Sequence, residues 1–389
     1  MKKGVLLLLC ALVACEEVDL PDGRMEEAAA VPLEDVARML SVLPVGPDQV
    51  GEVKDAVAAS IGNGYDEEYR MADLFRSPGC GVGDLATKAE PARTYQRPLR
   101  DLIREYAASG TKAGASVPDP ELLSRSDVQI YWPYSETAFP EGELPTVTFD
   151  PGDGSSANIG YRRGVDGSIE EVIVDEDYAR HHPVWVVNRN QDSGFQTLEL
   201  LRKLHPEWGS GGGGLSVVPA GPATKATGDG TLRTLVLKSF TMKRQYDPWL
   251  AGASEFFVKL GALDDFSAST EAELLLYQPL ITDFMVVVRR MLIGQPRPLN
   301  AMLVSNWTEQ LSTCALMITE DDGGTRTSWK TEGEVKIKSK TYGFSLSIPF
   351  NSRDDIVWRG SLSRKYFERY SNVSGHFGDV DLTFEILER

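Results

Sequence analysis

The stretch Val380-Asp381-Leu382-Thr383-Phe384-Glu385-Ile386 decides the fold, because apolar and polar side chains alternate along it without a break. A period of two turns one row of side chains to a core and the other to water, the pattern of a half-buried antiparallel strand. The same alternation recurs at Val335 and Ile337 and at Phe344, Leu346 and Ile348. Residues 232–389 therefore predict an antiparallel β-sandwich of roughly eight strands.

Upstream, residues 209–231 hold the run Gly211 to Gly214, several Pro and Thr and almost no large side chain, which reads as a linker. Before it, from Asp127 to Asn188, the period is again two. Val128, Ile130 and Trp132 form one segment, Val147 and Phe149 another, Val172 and Val174 a third, and the apolar Val184 to Val187 a fourth. Asp150 to Gly154 make a sharp reversal, and Asp166-Gly167 offers a tight hairpin turn. From residue 31 to about residue 110 the period is helical. Leu33, Val36, Leu40 and Leu43 form one stripe; Val50, Val53, Val57 and Ile61 form a second. Asp66, Glu67 and Glu68 predict the acidic first turn of a third helix, where negative charge meets the positive end of the helix dipole. Leu99, Leu102, Ile103 and Tyr106, with Pro98 at the start, predict a fourth, and together these suggest a small helical bundle. The fold class is α+β: an N-terminal helical region, a β-rich middle and a C-terminal antiparallel β-sandwich. The domain reading is 31–208 for the helical and β-rich part and 232–389 for the sandwich.

The chain of 389 residues is 42% hydrophobic, enough for real cores, and carries a formal charge of -17. Such an acidic surface repels phosphate backbones and anionic headgroups, so nucleic acid is excluded as a partner and cations are favoured. Four cysteines, Cys10, Cys15, Cys80 and Cys314, show no metal-type spacing. Cys80 and Cys314 are left either as one disulfide or as two buried thiols.

At its start the chain has Lys2 and Lys3, an apolar run from Val5 to Ala14 that is too short to span a bilayer, and then Cys15. Leu12-Val13-Ala14-Cys15 resembles the cleavage box of a bacterial lipoprotein signal peptide. The resemblance implies a signal over 1–14, a fatty-acylated Cys15 as first mature residue, and a lipid anchor that holds the protein in the cell envelope. Residues 15–30, acidic and Ala-rich, read as the tether. The acidic start after Cys15 is similar to lipoproteins of Gram-negative gut-type bacteria, which implies the outer membrane.

The most specific internal motif is Asp247-Pro-Trp-Leu-Ala-Gly-Ala-Ser254-Glu255-Phe-Phe-Val-Lys-Leu260. It resembles the first calcium loop of the C2-type β-sandwich, the calcium-dependent phospholipid-binding family. Phe350-Asn351-Ser352-Arg353-Asp354-Asp355-Ile356 resembles that family's late acidic loop, with Phe350 and Asn351 where acids would stand. The resemblance implies that Asp247, Glu255, Asp354 and Asp355 hold Ca2+, a hard cation that takes six to eight oxygens.

A second constellation, Asp175, Asp177, His181 and His182, offers an i, i+4 pair able to grip a metal, and so an alternative as a metal-dependent hydrolase. Pro183 ends any helix there, and the two adjacent histidines cannot face the same way. No Gly-x-Ser-x-Gly elbow or His-Glu-x-x-His helix occurs, which favours binding over catalysis. Tyr131, Trp132 and Tyr134 could stack on a glycan or peptide, or plug one end of a sheet. The reading is an envelope lipoprotein acting as a binding module for a protein or glycan ligand, with calcium assistance; a structural part of an envelope assembly is the third alternative.

Overall fold

Pro47 at the first turn of one helix, with the Gly46 amide donating to Gln49 Oε1 at 2.9 Å, shows how local chemistry sets the N-terminal elements. A computed structural model describes residues 31–76, 94–109, 118–140, 142–164, 166–190, 195–204 and 232–388. Its elements are α1 (Leu33–Val42), α2 (Pro47–Gly62), β1 (Glu68–Arg70), α3 (Met71–Leu74), α4 (Leu99–Ala108), α5 (Pro120–Ser124), β2 (Val128–Tyr131), β3 (Thr146–Phe149), β4 (Ala157–Arg163), β5 (Ile169–Asp175), α6 (Glu176–His181), β6 (Val184–Arg189) and α7 (Leu198–Leu204). C-terminal to these come β7 (Arg233–Met242), β8 (Ser254–Ala262), α8 (Glu271–Leu274), β9 (Leu280–Val288), β10 (Arg297–Val304), β11 (Leu311–Glu320), β12 (Arg326–Ile337), β13 (Lys340–Asn351), β14 (Asp355–Ser363), α9 (Arg364–Arg369), β15 (Ser374–Phe377) and β16 (Val380–Glu388). Cys15, the 1–14 signal, the 15–30 tether, Cys80 and the 209–231 linker lie outside the described residues.

The class is α+β. The N-terminal sheet runs β1-β2-β6-β3-β4-β5, with β3 parallel to β6 and the other pairs antiparallel. Its central strand β6 is buried on both faces, which explains why Val184 to Val187 form an apolar run rather than an alternation. Trp185 and Val187 face α1, α2 and α4 in one core; Val184 and Val186 face Trp249 and Leu250 in another. The helices therefore cover a sheet instead of forming a bundle by themselves.

The expected third helix is corrected. Glu68, Tyr69 and Arg70 pair with Tyr131, Ile130 and Gln129 as strand β1, and only Met71–Leu74 is helical. Asp66, Glu67 and Glu68 are buried, whereas acids at a helix start are stabilising when they face water near the dipole.

The sandwich is antiparallel throughout. One sheet runs β10-β7-β16-β15; the other runs β13-β12-β11-β8-β9, with β14 also pairing with β11. Phe240, Leu382 and Phe384 of the first sheet meet Phe256, Val258 and Leu316 of the second in a common core. This region has ten strands, β7 to β16, rather than eight. The four-residue β15, Ser-Gly-His-Phe, carries no alternation and so has no sequence signal. Cys314 is buried in this core, and burial pushes its thiol pKa up.

Residues Val31–Arg389 hold together as one compact unit. Tyr65 and Leu200, from the N-terminal half, pack with Phe257, Met285 and Val287 of β8 and β9. Among the described residues no helix is long and apolar enough to cross a membrane.

Candidate metal centre

Antiparallel pairing brings the start of β8, the end of β11 and the start of β14 to one end of the sandwich: Glu320 lies opposite both Phe256 and Asp355 in the strand register. The loop between β7 and β8 arrives at the same end and carries Asp247. Ser254 shapes that loop, accepting from the Tyr246 and Asp247 amides at 3.0 and 3.3 Å and donating to Gln245 Oε1 at 3.1 Å. Arg290 holds it from the other side, with Nε on Gly252 O at 3.1 Å and Nη2 on Asp247 O at 2.6 Å.

Asp247, Glu255 and Glu320 each bring a carboxylate oxygen within 4.8 Å of the others. Asp247 and Glu255 are half-buried; Glu320 is 0% exposed. Neither oxygen of Glu320, nor Asp247 Oδ2, has a hydrogen-bond partner. A buried acceptor without a donor costs roughly 1–3 kcal/mol, and more when it is charged, so this cluster calls for a proton or a cation. Burial first, and the neighbouring Asp247 carboxylate second, push the Glu320 pKa up to about 11. Burial followed by the charges of Asp247, Asp66 and Glu320 lifts Glu255 well above the carboxylate range. Asp247 is raised chiefly by burial, and Asp322 nearby is raised to about 6 by burial and by Asp247, Asp355, Asp354 and Asp321.

The donor set is all carboxylate, with no His or Cys. That chemistry suits Ca2+, Mg2+ or Mn2+ and not a thiolate- or imidazole-seeking metal. The buried, partnerless oxygens fit a hard cation.

Of the four expected ligands, Asp247 and Glu255 converge. Asp354 is buried outside the trio, and its Oδ2 accepts from the Asn351 amide at 2.8 Å while Oδ1 has no partner. Asp355 is exposed at the start of β14 and reaches the centre only through its charge. The third converging carboxylate is Glu320, which the sequence reading missed. Its signal is the triplet Glu320-Asp321-Asp322 one residue after the apolar Leu316-Met317-Ile318, acids gathered where an apolar strand ends.

The alternative cluster does not assemble. Asp175 caps α6, accepting from the Tyr178 amide at 2.8 Å. His181 Nδ1 donates to the Asp177 backbone carbonyl at 2.8 Å, while His182 Nδ1 is 2.7 Å from Glu143 Oε1. The i, i+4 spacing is used for a side-chain-to-backbone bond, so no metal cage forms from Asp175, Asp177, His181 and His182. Tyr131 and Trp132 are buried, and Tyr134 is 9% exposed with its hydroxyl donating to Glu176 Oε1 at 2.6 Å. These three rings fill the sheet faces instead of presenting a stacking platform.

Fold and site together describe an α+β protein whose antiparallel sandwich gathers carboxylates at one end. Comparison with protein-family models, with curated proteins and with solved structures finds no match.

Proposed function

We propose that this chain is a lipid-anchored envelope protein acting as a binding and interaction module, whose sandwich takes up a divalent cation, Ca2+ by preference, through Asp247, Glu255 and Glu320. The observation that carries the cation reading is the trio of carboxylates within 4.8 Å of one another, with both Glu320 oxygens buried and partnerless. When bound, the ion would supply positive charge that neutralises the cluster and ties together the β7–β8 loop, β8 and β11. The anchor rests on Leu12-Val13-Ala14-Cys15, and the outer membrane on the acidic residues that follow. An acidic chain repels anionic headgroups and nucleic acid alike, so the lipid on Cys15 is the membrane contact and the ligand is a protein or glycan.

Calorimetric titration of the full chain with CaCl2 tests the cation reading. Saturable binding that Glu320→Gln abolishes is expected; no binding at millimolar calcium would overturn it. Mass spectrometry of native material tests the anchor, which fails if Cys15 carries no acyl chain.

A further inference from the structure

The loop that delivers Asp247 to the carboxylate trio is also the loop on which the N-terminal sheet docks. Trp249 Nε1 donates to Ser156 O at 2.8 Å. Asn188 Nδ2, at the end of β6, donates to Leu250 O at 3.0 Å and Ala251 O at 2.6 Å. The Ala253 amide donates to Asp66 Oδ2 at 2.9 Å. Trp249 and Leu250 are 3% and 0% exposed, packed in one core with Tyr131, Val184 and Val186.

Every one of these docking residues on the loop, from Trp249 to Ala253, lies between Asp247 and Glu255. An ion held by both carboxylates fixes the loop at both ends. The segment between them then loses conformational freedom before it meets the N-terminal sheet, so less entropy is lost on docking. The apolar residues of the loop are also fully committed. A tip that dips into a bilayer keeps such side chains outside, whereas Trp249 and Leu250 are enclosed by the N-terminal sheet.

We infer that a divalent cation at Asp247, Glu255 and Glu320 is a clasp that sets how firmly the N-terminal sheet is held on the sandwich, and not a bridge from the sandwich to a lipid surface. The inference rests on the cation reading above. By linkage, ion binding and docking strengthen each other by the same factor, so loss of docking must weaken the ion. Asn188 and Trp249 touch no carboxylate of the trio in this arrangement, yet both act on the ion through the loop.

The test is hydrogen–deuterium exchange of the full chain in CaCl2 or EDTA, together with calcium titration of wild type, Asn188→Ala, Trp249→Phe and Glu320→Gln. Calcium should slow exchange at Ala253 and along β1 and β6 by about fivefold or more, and leave α9 and β15 unchanged. Asn188→Ala and Trp249→Phe should bind calcium several-fold more weakly, and Glu320→Gln should not bind it. Trp249→Phe keeps a ring in the core and removes the bond to Ser156, so it reports even if Asn188→Ala does not fold. If wild type binds calcium while exchange in β1 and β6 stays the same, or both docking variants keep full affinity, the clasp is wrong and the cation site stands. If wild type binds no calcium, both readings fall.

Discussion

Glu320 and Asp247 meet carboxylate to carboxylate, within 4.8 Å, and no donor among the described residues reaches Glu320 Oε1, Glu320 Oε2 or Asp247 Oδ2. Two negative charges at that separation repel by roughly 3 to 4 kcal/mol at an effective dielectric constant near 20. That is a large part of the ~5–15 kcal/mol net stability of a typical domain. The pair therefore holds a proton, and on the function proposed above a cation takes that proton's place.

Replacing Glu320 by Gln removes the ability to ionise and keeps the shape. Since burial already keeps this carboxyl protonated, Glu320→Gln should change cation-free stability by less than ~1 kcal/mol. In calcium at a hundred times its dissociation constant, wild type should gain about 2.7 kcal/mol and the variant nothing. Urea unfolding in EDTA and in CaCl2 measures both numbers, and an equal calcium gain in the two proteins would contradict the assignment.

Glu67 gives a pH signature away from the trio. It is 1% exposed, Ser135 donates to its Oε1 from both the amide and Oγ at 3.1 Å, and burial with the Asp66 charge raises its pKa from 4.5 to about 8. In the unfolded chain Glu67 ionises near 4.5, while in the folded chain it keeps its proton to about 8. Its stabilising contribution is thus complete below the unfolded value and is lost as pH rises across that window. The maximum slope for one group is about 1.4 kcal/mol per pH unit. Glu67→Gln should match wild type at low pH and exceed it by about 4 kcal/mol near pH 8. Parallel stability curves from pH 4.5 to 8.5 would rule this out.

Gly252 sits at φ +136°, a backbone region that side-chain-bearing residues rarely adopt, and an added Cβ would stand 3.2 Å from Asp66 Oδ2. Gly252→Ala should cost on the order of 1–3 kcal/mol and disturb the Asp66–Ala253 bond. Thermal melts and the exchange rate of the Ala253 amide measure the two effects. A melt and an exchange rate unchanged from wild type would show that the loop is free to relax.

Leu316 separates stability from the site. Its side chain is fully buried between the sandwich sheets, with Gly360 and Leu260 beside it in the strand register. Leu316→Ala should cost 2–5 kcal/mol, roughly the range for emptying a core position. Calcium affinity measured at a temperature where the variant stays folded should remain within about twofold of wild type, since well-separated sites act independently. A large loss of affinity would mean that the end of β11 bearing Glu320 shifts with the core.

Much of the architecture was legible residue by residue. The alternation at Val380 to Ile386 became β16, and Asp166-Gly167 turns β4 into β5. The loop 247–254 was legible as a turn because Asp, Gly and Ser at those positions carry turn chemistry that does not depend on distant partners. Glu320 was not, since an acid ending an apolar strand looks the same whether it faces water or a second carboxylate. Asp66, Glu67 and Glu68 misled for the same reason: their charge points to solvent, and only the partners Ala253, Ser135 and Asn190 make burial tolerable.

Local chemistry alone, written into the order of side chains, determined the periods of two and 3.6, the turns, the acidic balance and the resemblance at Cys15. These depend on near neighbours along the chain, so they survive without a fold. Tertiary structure alone decided that Glu320 joins Asp247 and Glu255, that His181 bonds its own helix, and that Trp249 is enclosed by the N-terminal sheet. Each of those depends on which strands become neighbours, a matter of core packing summed over both sheets that no single segment encodes.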